Sequence, residues 1–567
     1  MNSEKTREML LAIAVMFQEK RDELSKLDSV IGDGDHGISM ARGAKEAFEN
    51  ISNMGNDQPV NEYFKVYGRS LVAKIGGAMG PLFGIVFTEF GKCMKGKEEL
   101  TAEEFAKSLG NSLKKVMEFG GAKPNDKTMV DAMEPAALAA KEAVRQKKTL
   151  TETARIAACA AKQGVEATIG MRARRGRSKF LQEKSIGHQD AGATSYFYLI
   201  DRMARYLEGD TGYGLYQELE DETLKDKEKS VQNGIHKFIN CPTDVVEETV
   251  RGYIKAYGDK IKKLPHAEVV TRRKMTTDKV GIVIGNGSGH EPACLGFVGE
   301  NMLDANAYGG IFAAPGPYTI LEAIRAADMG RGVCVLISNH AGDVLNSKMA
   351  IDMAEDEGIQ AESVVLYDDI ASAPKSDPIW ERRGAIGTLF NYKMTPSYAP
   401  GHTMKEIVTF SEKVRDNTRS IAAAMSPGTS PITGEIMFQI EPGEVLVGLG
   451  IHGESALLTF QNKKCSQIAE SMICSLLEDL ECEKGEEISM IVNGAGKTTM
   501  MELMIFYEAV EKVLARREIK IFKPLIGSFI TTQEMGGIGL AICRVQEEMK
   551  IAWTAPTNAP QFPNLSL

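Results

Sequence analysis

The sequence predicts a multidomain protein: an all-α helical bundle or barrel over residues 1–208, a linker over 209–232, and an α/β region of two subdomains, 233–412 and 413–567. Three observations predict it. Met9, Leu10, Ile13, Ala14 and Phe17 recur at helical spacing, and the same pattern runs through 105–117, 132–144 and 154–167. Beyond the middle, apolar residues gather in short β-branched runs at 280–284, 333–337, 363–366, 445–449 and 488–492, and helical pattern at 320–329 and 344–357 separates several of them, as in βαβ units. Between the halves, 218–229 is an acidic block followed by a basic one with few apolar residues, which reads as a solvated linker. The second half is too long for one compact core, so a division between Tyr398 and Thr433 is expected.

Composition narrows the function. Across 567 residues, 67 Lys and Arg oppose 77 Asp and Glu, a net charge of −10, so no basic excess exists to track nucleic acid. Hydrophobic residues make up 43%, enough for several cores, which sets disorder aside. Nine scattered cysteines without C-x-x-C spacing fit free thiols in a reducing compartment. No run of about 18 apolar residues occurs, and Glu4, Arg7 and Glu8 stand where a signal peptide would be basic and then apolar. A cytoplasmic protein without a membrane partner is expected.

The first chemical motif is Asp28 with Ile31-Gly32-Asp33-Gly34-Asp35-His36-Gly37. Three glycines in six residues rule out a helix interior, so Asp28, Asp33 and Asp35 present carboxylates from a loop. Clustered carboxylates repel unless a cation joins them; Mg²⁺, which shares its coordination with substrate phosphates, is the natural partner. A calcium EF-hand fails at Gly37, Ile38 and Ala44. A solvated Asp/Gly turn remains the alternative on this motif alone. Helical pattern resumes at Met40, so the N–H groups of His36 to Ser39 suit phosphate oxygens at a helix N-terminus. Gly76-Gly77-Ala78-Met79-Gly80 and Gly120-Gly121-Ala122 fit either a phosphate concavity or tight helix packing. Arg174, Arg175 and Arg177, followed by Gly187-His188-Gln189-Asp190, add cations that suit a nucleotide.

In the second half, Gly285-Asn286-Gly287-Ser288-Gly289-His290-Glu291-Pro292 follows the run 280–284, Asn339-His340-Ala341-Gly342-Asp343 follows 333–337, and Asp368-Asp369 follows 363–366. The carboxyl ends of parallel strands form a ligand crevice, so these polar tips are expected to converge on one small molecule. His290-Glu291-Pro292 is no zinc-protease helix, because the second His is absent and Pro292 interrupts it. Gly494-Ala495-Gly496-Lys497-Thr498 lacks the first P-loop glycine, Ile491 standing there. In Gly448-Leu449-Gly450-Ile451-His452-Gly453-Glu454, an imidazole sits between glycines that permit close approach of a ligand, and a neutral imidazole is a nucleophile able to add to carbonyl carbon.

With these residues the chain resembles the dihydroxyacetone kinase family. Residues 1–200 are similar to its helical nucleotide-binding L domain through Asp28 with Gly32 to Gly37, the 76–84 loop, Gly121-Ala122-Lys123-Pro124 with Asp126 to Met129, and Ser185-Ile186-Gly187-His188. Residues 235–532 are similar to its substrate-binding K domain through Gly287 to Pro292, Gly299 with Met302-Leu303, Asn339 with Gly342-Asp343, Gly450 to Glu454, and Val492-Asn493-Gly494. The resemblance implies Mg²⁺ on Asp28, Asp33 and Asp35. It implies ATP lined by His36, Gly37, Ile38, Ser39, Ala78, Met79, Gly120, Met129, Arg177, Asp190, Ala191 and Gly192. It implies a ketose held by Gly287, Ser288, Gly289, His290 and Asp343 and bonded as a hemiaminal to His452, with His290 supporting the carbonyl oxygen and Asp343 taking the hydroxyl proton.

The family's common single-chain enzymes place the K domain first, whereas here the L domain leads. Ser338 stands where the family usually has Lys, His340-Ala341 where it has Tyr-Thr, Met79 where it has Ser, and Ser39 where it has Asn. The expected protein is a homodimeric ATP- and Mg²⁺-dependent kinase of a primary hydroxyl on dihydroxyacetone or a ketotetrose such as erythrulose. A ketose-sensing regulator without phosphoryl transfer and a nucleotide-cyclising lyase are the alternatives.

Overall fold

The structure is a computed structural model that describes residues 1–565 except Asp33, Asp35, 213–236, Pro374, Thr433, His452 and Ser455; for Arg177, Phe180, Leu181 and Gln182 it describes the backbone alone. The linker expected over 209–232 therefore falls mostly outside the described residues. The chain divides into two compact units, Met1–Asp226 and Lys227–Leu567. Among the described residues no helix is long and apolar enough to cross a membrane.

The first unit is helical: α1 (Ser3–Glu19), α2 (Arg21–Ile31), α3 (His36–Ser52), α4 (Val60–Lys74), α5 (Met79–Cys93), α6 (Ala102–Gly120), α7 (Val130–Arg145), α8 (Leu150–Thr168) and α9 (Ala191–Leu207), with a 3₁₀ segment Arg177–Ser185 before α9. Thr101 and Thr149 cap α6 and α8 by accepting the N–H of Glu104 and Glu152, and Gly121 ends α6 in the left-handed region at φ 64°. The periodic residues of α1, Met9 to Phe17, are all buried. Helices pack on their sequence neighbours, and α9 returns to α1 and α2, so one core is enclosed. Tyr67 stacks on Phe87 at 4.1 Å and Phe64 on Phe90 at 5.1 Å. Each such fully buried ring stabilises the bundle by roughly 1.5–3 kcal/mol.

The second unit opens with α10 (Val245–Tyr257). Its first sheet contains β1 (Ile261–Lys263), β2 (Val269–Arg272), β3 (Gly281–Ser288), β4 (Ala305–Ile311), β5 (Val333–Ser338) and β6 (Ala361–Leu366), in the order β1-β2-β4-β3-β5-β6. Strands β4, β3, β5 and β6 run parallel, while β1 and β2 pair antiparallel. Helices α11 (Pro317–Ala327), α12 (Ala341–Asp356), α13 (Thr388–Tyr398) and α14 (Met404–Asp416) accompany this sheet.

The second sheet holds β7 (Thr418–Ser426), β8 (Glu444–Val447), β9 (Leu458–Gln461), β10 (Glu487–Gly494), β11 (Lys520–Ile521), β12 (Leu525–Gly527) and β13 (Gly536–Arg544). Its path is β11-β10-β13-β7-β8-β9, with β12 also on β10, and only β11 and β12 run parallel to β10. Helices α15 (Cys465–Asp479) and α16 (Met500–Arg516) cover one face, and α17 (Glu547–Thr554) closes the chain.

The five β-branched runs of the sequence lie on β3, β5, β6, β8 and β10. A single apolar cluster joins Ile284 and Leu336 of the first sheet to Ile491 and Ala541 of the second, with Phe390 and Trp553 among them, their rings 4.8 Å apart. The two sheets thus share a core, and α14 runs across position 412/413.

Candidate functional site

In the first unit, the expected residues His36 to Ser39, Met129 and Asp190 to Gly192 lie where α3, α7 and α9 begin, beside the end of α2, whereas Ala78, Met79 and Gly120 lie at the start of α5 and the end of α6. Asp28 lies in the last turn of α2 and not in the loop expected from the sequence, because the helix runs on to Ile31 before the first glycine, and its Oδ2 accepts the N–H of Gly34 at 2.8 Å. A Cβ on Gly32 would stand 2.2 Å from Asp28 Oδ1, so glycine is what lets the loop wrap the carboxylate. His36 opens α3 buried, its Nε2 2.5 Å from Ser195 Oγ on α9. Burial holds its imidazole down to about 4, with Asp28 opposing. Gly37 lets α3 pass α2, since a Cβ would lie 1.8 Å from the Arg21 carbonyl oxygen. Ser39 is buried, whereas Ile38 is 43% exposed.

Met129 precedes α7 and meets Gly192 of α9, where a Cβ would be 3.8 Å from Met129 Cβ. Asp190 caps α9 by accepting the N–H of Ala193 at 2.7 Å, with Ala191 and Gly192 in the first turn. Burial pushes the Asp190 carboxyl up to about 7; Asp131 and Asp28 add to this, while the Ala193 N–H and Lys127 oppose it. Ala78 and Met79 start α5, where Leu82 packs on Gly120 at the end of α6. Ile75, just before, packs on Gly43 of α3. The expected residues Asp33 and Asp35, and the Arg177 side chain, lie outside the described residues.

Two further residues belong to this region: Asp131, which the sequence expectation lacks, and Lys127, which it held only as part of the Asp126 to Met129 string. Asp131 accepts the N–H groups of Asn125 at 2.5 Å and Thr128 at 2.7 Å, which folds the 125–128 turn over the start of α7. Lys127 is buried and donates to the carbonyls of Thr168, Met171 and His188 at 2.7, 3.2 and 2.5 Å, binding the end of α8 to the approach to α9. Three helix N-termini therefore meet near a group of carboxylates, an arrangement that attracts phosphate at the helix ends and a hard cation at the oxygens. Of the three expected Mg²⁺ ligands only Asp28 lies among the described residues, and among those residues no group of three His, Cys, Asp or Glu side chains is placed to hold a metal ion.

In the second unit the expected substrate residues lie at strand carboxyl ends. Gly287 and Ser288 finish β3; a Cβ on Gly287 would be 2.7 Å from the Ala313 nitrogen, and Ser288 Oγ donates to the Gly309 carbonyl at 2.8 Å. Gly289, at φ +100°, donates its N–H to both Glu291 carboxylate oxygens at 3.1 Å. Burial raises the Glu291 pKa. His290 is buried against Phe312, ring centroids 4.8 Å apart, and its Nδ1 is 2.7 Å from the Thr531 carbonyl oxygen.

Asp343 sits buried in the first turn of α12, after β5. Burial pushes the Cys294 thiol up to about 12, and Glu291 and Asp343 both add to that shift, so the β3 and β5 tips converge around Cys294. Asn286 Nδ2 lies 3.2 Å from its sulfur, and Ser338 Oγ is 2.9 Å from the buried Tyr392 hydroxyl. His340 Nε2 meets the Gly384 carbonyl at 2.9 Å.

His452 is outside the described residues, but its loop is not. Thr532 Oγ1 donates to the Ile451 carbonyl at 2.6 Å, and the adjacent Thr531 holds His290, so two consecutive threonines tie the 450–454 loop to His290. Nothing in the local sequence of Thr531-Thr532 signals this.

Comparison with known proteins agrees with both halves. A Dak1 domain model matches residues 251–561 and a DAK2 domain model residues 30–205. The PTS-dependent dihydroxyacetone kinase, dihydroxyacetone-binding subunit DhaK, of Lactococcus lactis is 38% identical over 313 residues, which span 55% of this chain and 94% of that protein. The L-erythrulose kinase of Pectobacterium atrosepticum is 33% identical over 331 residues, 57% of this chain and 56% of that enzyme. Among solved structures, the dihydroxyacetone kinase of C. freundii in complex with AMP-PNP and Mg²⁺ matches with a TM-score of 0.52 at 26% identity, over 58% of this chain and 61% of that one.

Proposed function

The chain belongs to the dihydroxyacetone kinase family, and from that premise we propose that it is an ATP-dependent kinase of a short-chain ketose, dihydroxyacetone or a ketotetrose such as erythrulose. The observation that carries the reading is the threonine bridge that joins His290 to the 450–454 loop, beside the tips of β3 and β5 that bear Ser288 and Asp343.

In this reading the ketose enters with its carbonyl toward His452. The imidazole nitrogen bonds to the ketone carbon, the π pair moves to oxygen, oxygen takes up a proton and the ring loses its N–H proton, which leaves a neutral hemiaminal. Glycerol has no carbonyl and forms no such bond. Asp343 accepts the proton of the terminal hydroxyl as its oxygen bonds to the γ-phosphorus of ATP and ADP departs. The tether fixes that hydroxyl, and alignment accounts for much of the rate. In the first unit His36, Ser39, Met129, Asp190 and the start of α9 line the nucleotide, and Asp28, Asp33 and Asp35 hold Mg²⁺. When bound, Mg²⁺ neutralises phosphate charge. Self-association as a homodimer, checked by light scattering, belongs to the same proposal.

The test is ADP release with ATP and Mg²⁺ against dihydroxyacetone, D- and L-erythrulose and glycerol. Release with a ketose and not with glycerol supports the kinase. Silence on every ketose, with ketose still bound, favours a sensor; a cyclic product from a dinucleotide without ketose favours a lyase.

A further inference from the structure

The loop that carries His452 is held on its other side by a buried ion network. Arg383 donates from Nη2 and Nε to Asp369 Oδ2 at 2.7 and 3.1 Å, and its Nη1 lies 3.4 Å from Glu454 Oε1. The three side chains are 4%, 6% and 10% exposed. The backbone of Arg383 is pinned as well: its carbonyl accepts the N–H groups of Asp368 and Asp369 at 3.0 and 3.1 Å, and its own N–H donates to Ser372 Oγ at 2.9 Å. The guanidinium is thus fixed to the carboxyl end of β6, and Glu454 is oriented by a rigid group.

The loop closes on itself, with Gly453 N–H on the Gly450 carbonyl at 3.0 Å and Gly450 N–H on the Glu454 carbonyl at 3.3 Å. A Cβ on Gly450 would stand 2.0 Å from Glu454 Oε2 and 2.3 Å from Arg383 Nη1, so the ion pair fills the space against the loop backbone. A buried ion pair adds little net stability over a well-packed apolar pair, because desolvation offsets its attraction. Its distinctive contribution is direction.

We infer that Arg383 is a positioning residue for the reaction: by holding Glu454 it fixes the 450–454 loop and so the approach of His452 to the ketone carbon. The inference rests on the tether reading above. Arg383 touches neither substrate nor nucleotide in this role.

The experiment compares the full-length wild type with Glu454→Gln, Arg383→Lys, the double variant and His452→Ala. A ketose isotopically labelled at its carbonyl carbon reports the tetrahedral adduct by NMR; kcat and both KM values are measured, with thermal unfolding alongside. The expected result is an adduct in the wild type and none in His452→Ala. Glu454→Gln should lose ~10- to 100-fold in kcat/KM for the ketose with KM for ATP unchanged. The double variant should be no worse than the poorer single one, because both changes break one device. Wild-type adduct and ketose kcat/KM in both single variants overturn the positioning role and leave the tether standing. An adduct that survives in His452→Ala overturns both. Parallel loss of ketose and ATP parameters together with thermal stability overturns the positioning role, since a collapsing fold lowers all three.

Discussion

His36 and His290 are both buried imidazoles, and the group that each one meets decides what it can do. His36 shares a hydrogen bond with Ser195 Oγ, and burial keeps it neutral at physiological pH, so it adds no charge to the proposed nucleotide site. His290 faces a backbone carbonyl through Nδ1. A carbonyl oxygen only accepts, so Nδ1 carries a proton. Asp343 was legible in the sequence as a polar residue after a β-branched run, whereas Thr531 and Cys294 were not, because their relevance depends on what packs beside them. Asp343→Asn keeps the shape and removes the proposed base. Turnover is expected to fall by ~10²–10⁴ with ketose affinity nearly unchanged, read from steady-state kinetics beside an equilibrium titration. An equal loss in affinity would count against its role as base.

At the scale of elements, the site is made by where helices start and strands stop. Helices α3, α7 and α9 bring their N-termini to one place because close approaches are permitted by glycines at chosen positions. Gly164 is one: a Cβ there would lie 2.1 Å from the Asp131 carbonyl oxygen, so α8 presses directly on the first turn of α7. Gly164→Ala should therefore displace α7, cost about 1–3 kcal/mol of stability, and raise KM for ATP while ketose binding is untouched. Calorimetry with both titrations checks this; an unchanged KM for ATP would show that α7 does not position the nucleotide.

The β-branched runs revealed five strands, and β4, β7 and β13 escaped because they are rich in Gly, Ala and Ser. Their small residues reflect packing: a Cβ on Gly539 would stand 1.8 Å from Ile386 Cδ1. A strand selected for close approach of a neighbour loses the bulky signature by which strands are recognised.

For the whole molecule, the division into Met1–Asp226 and Lys227–Leu567 puts the residues proposed for nucleotide and those proposed for ketose in separate compact units. Asp33→Ala is accordingly expected to abolish Mg²⁺-dependent turnover while ketose binding survives, measured by ADP release and by calorimetric titration with dihydroxyacetone; loss of both would refute the assignment of the two halves. The sequence alone determined the helical half, the α/β half and the glycine-flanked polar strings at their turns, because these are encoded within a few residues by periodicity and by the φ/ψ freedom of glycine. It also sufficed for family membership. The tertiary structure decided the core shared by the two sheets, which joins Ile284 to Ala541, and the pairings of Thr531 with His290 and of Arg383 with Glu454. Those partners lie far apart along the chain, and no local pattern specifies them; only the packing of one sheet on another brings a buried guanidinium to its second carboxylate and two threonines to the loop they hold.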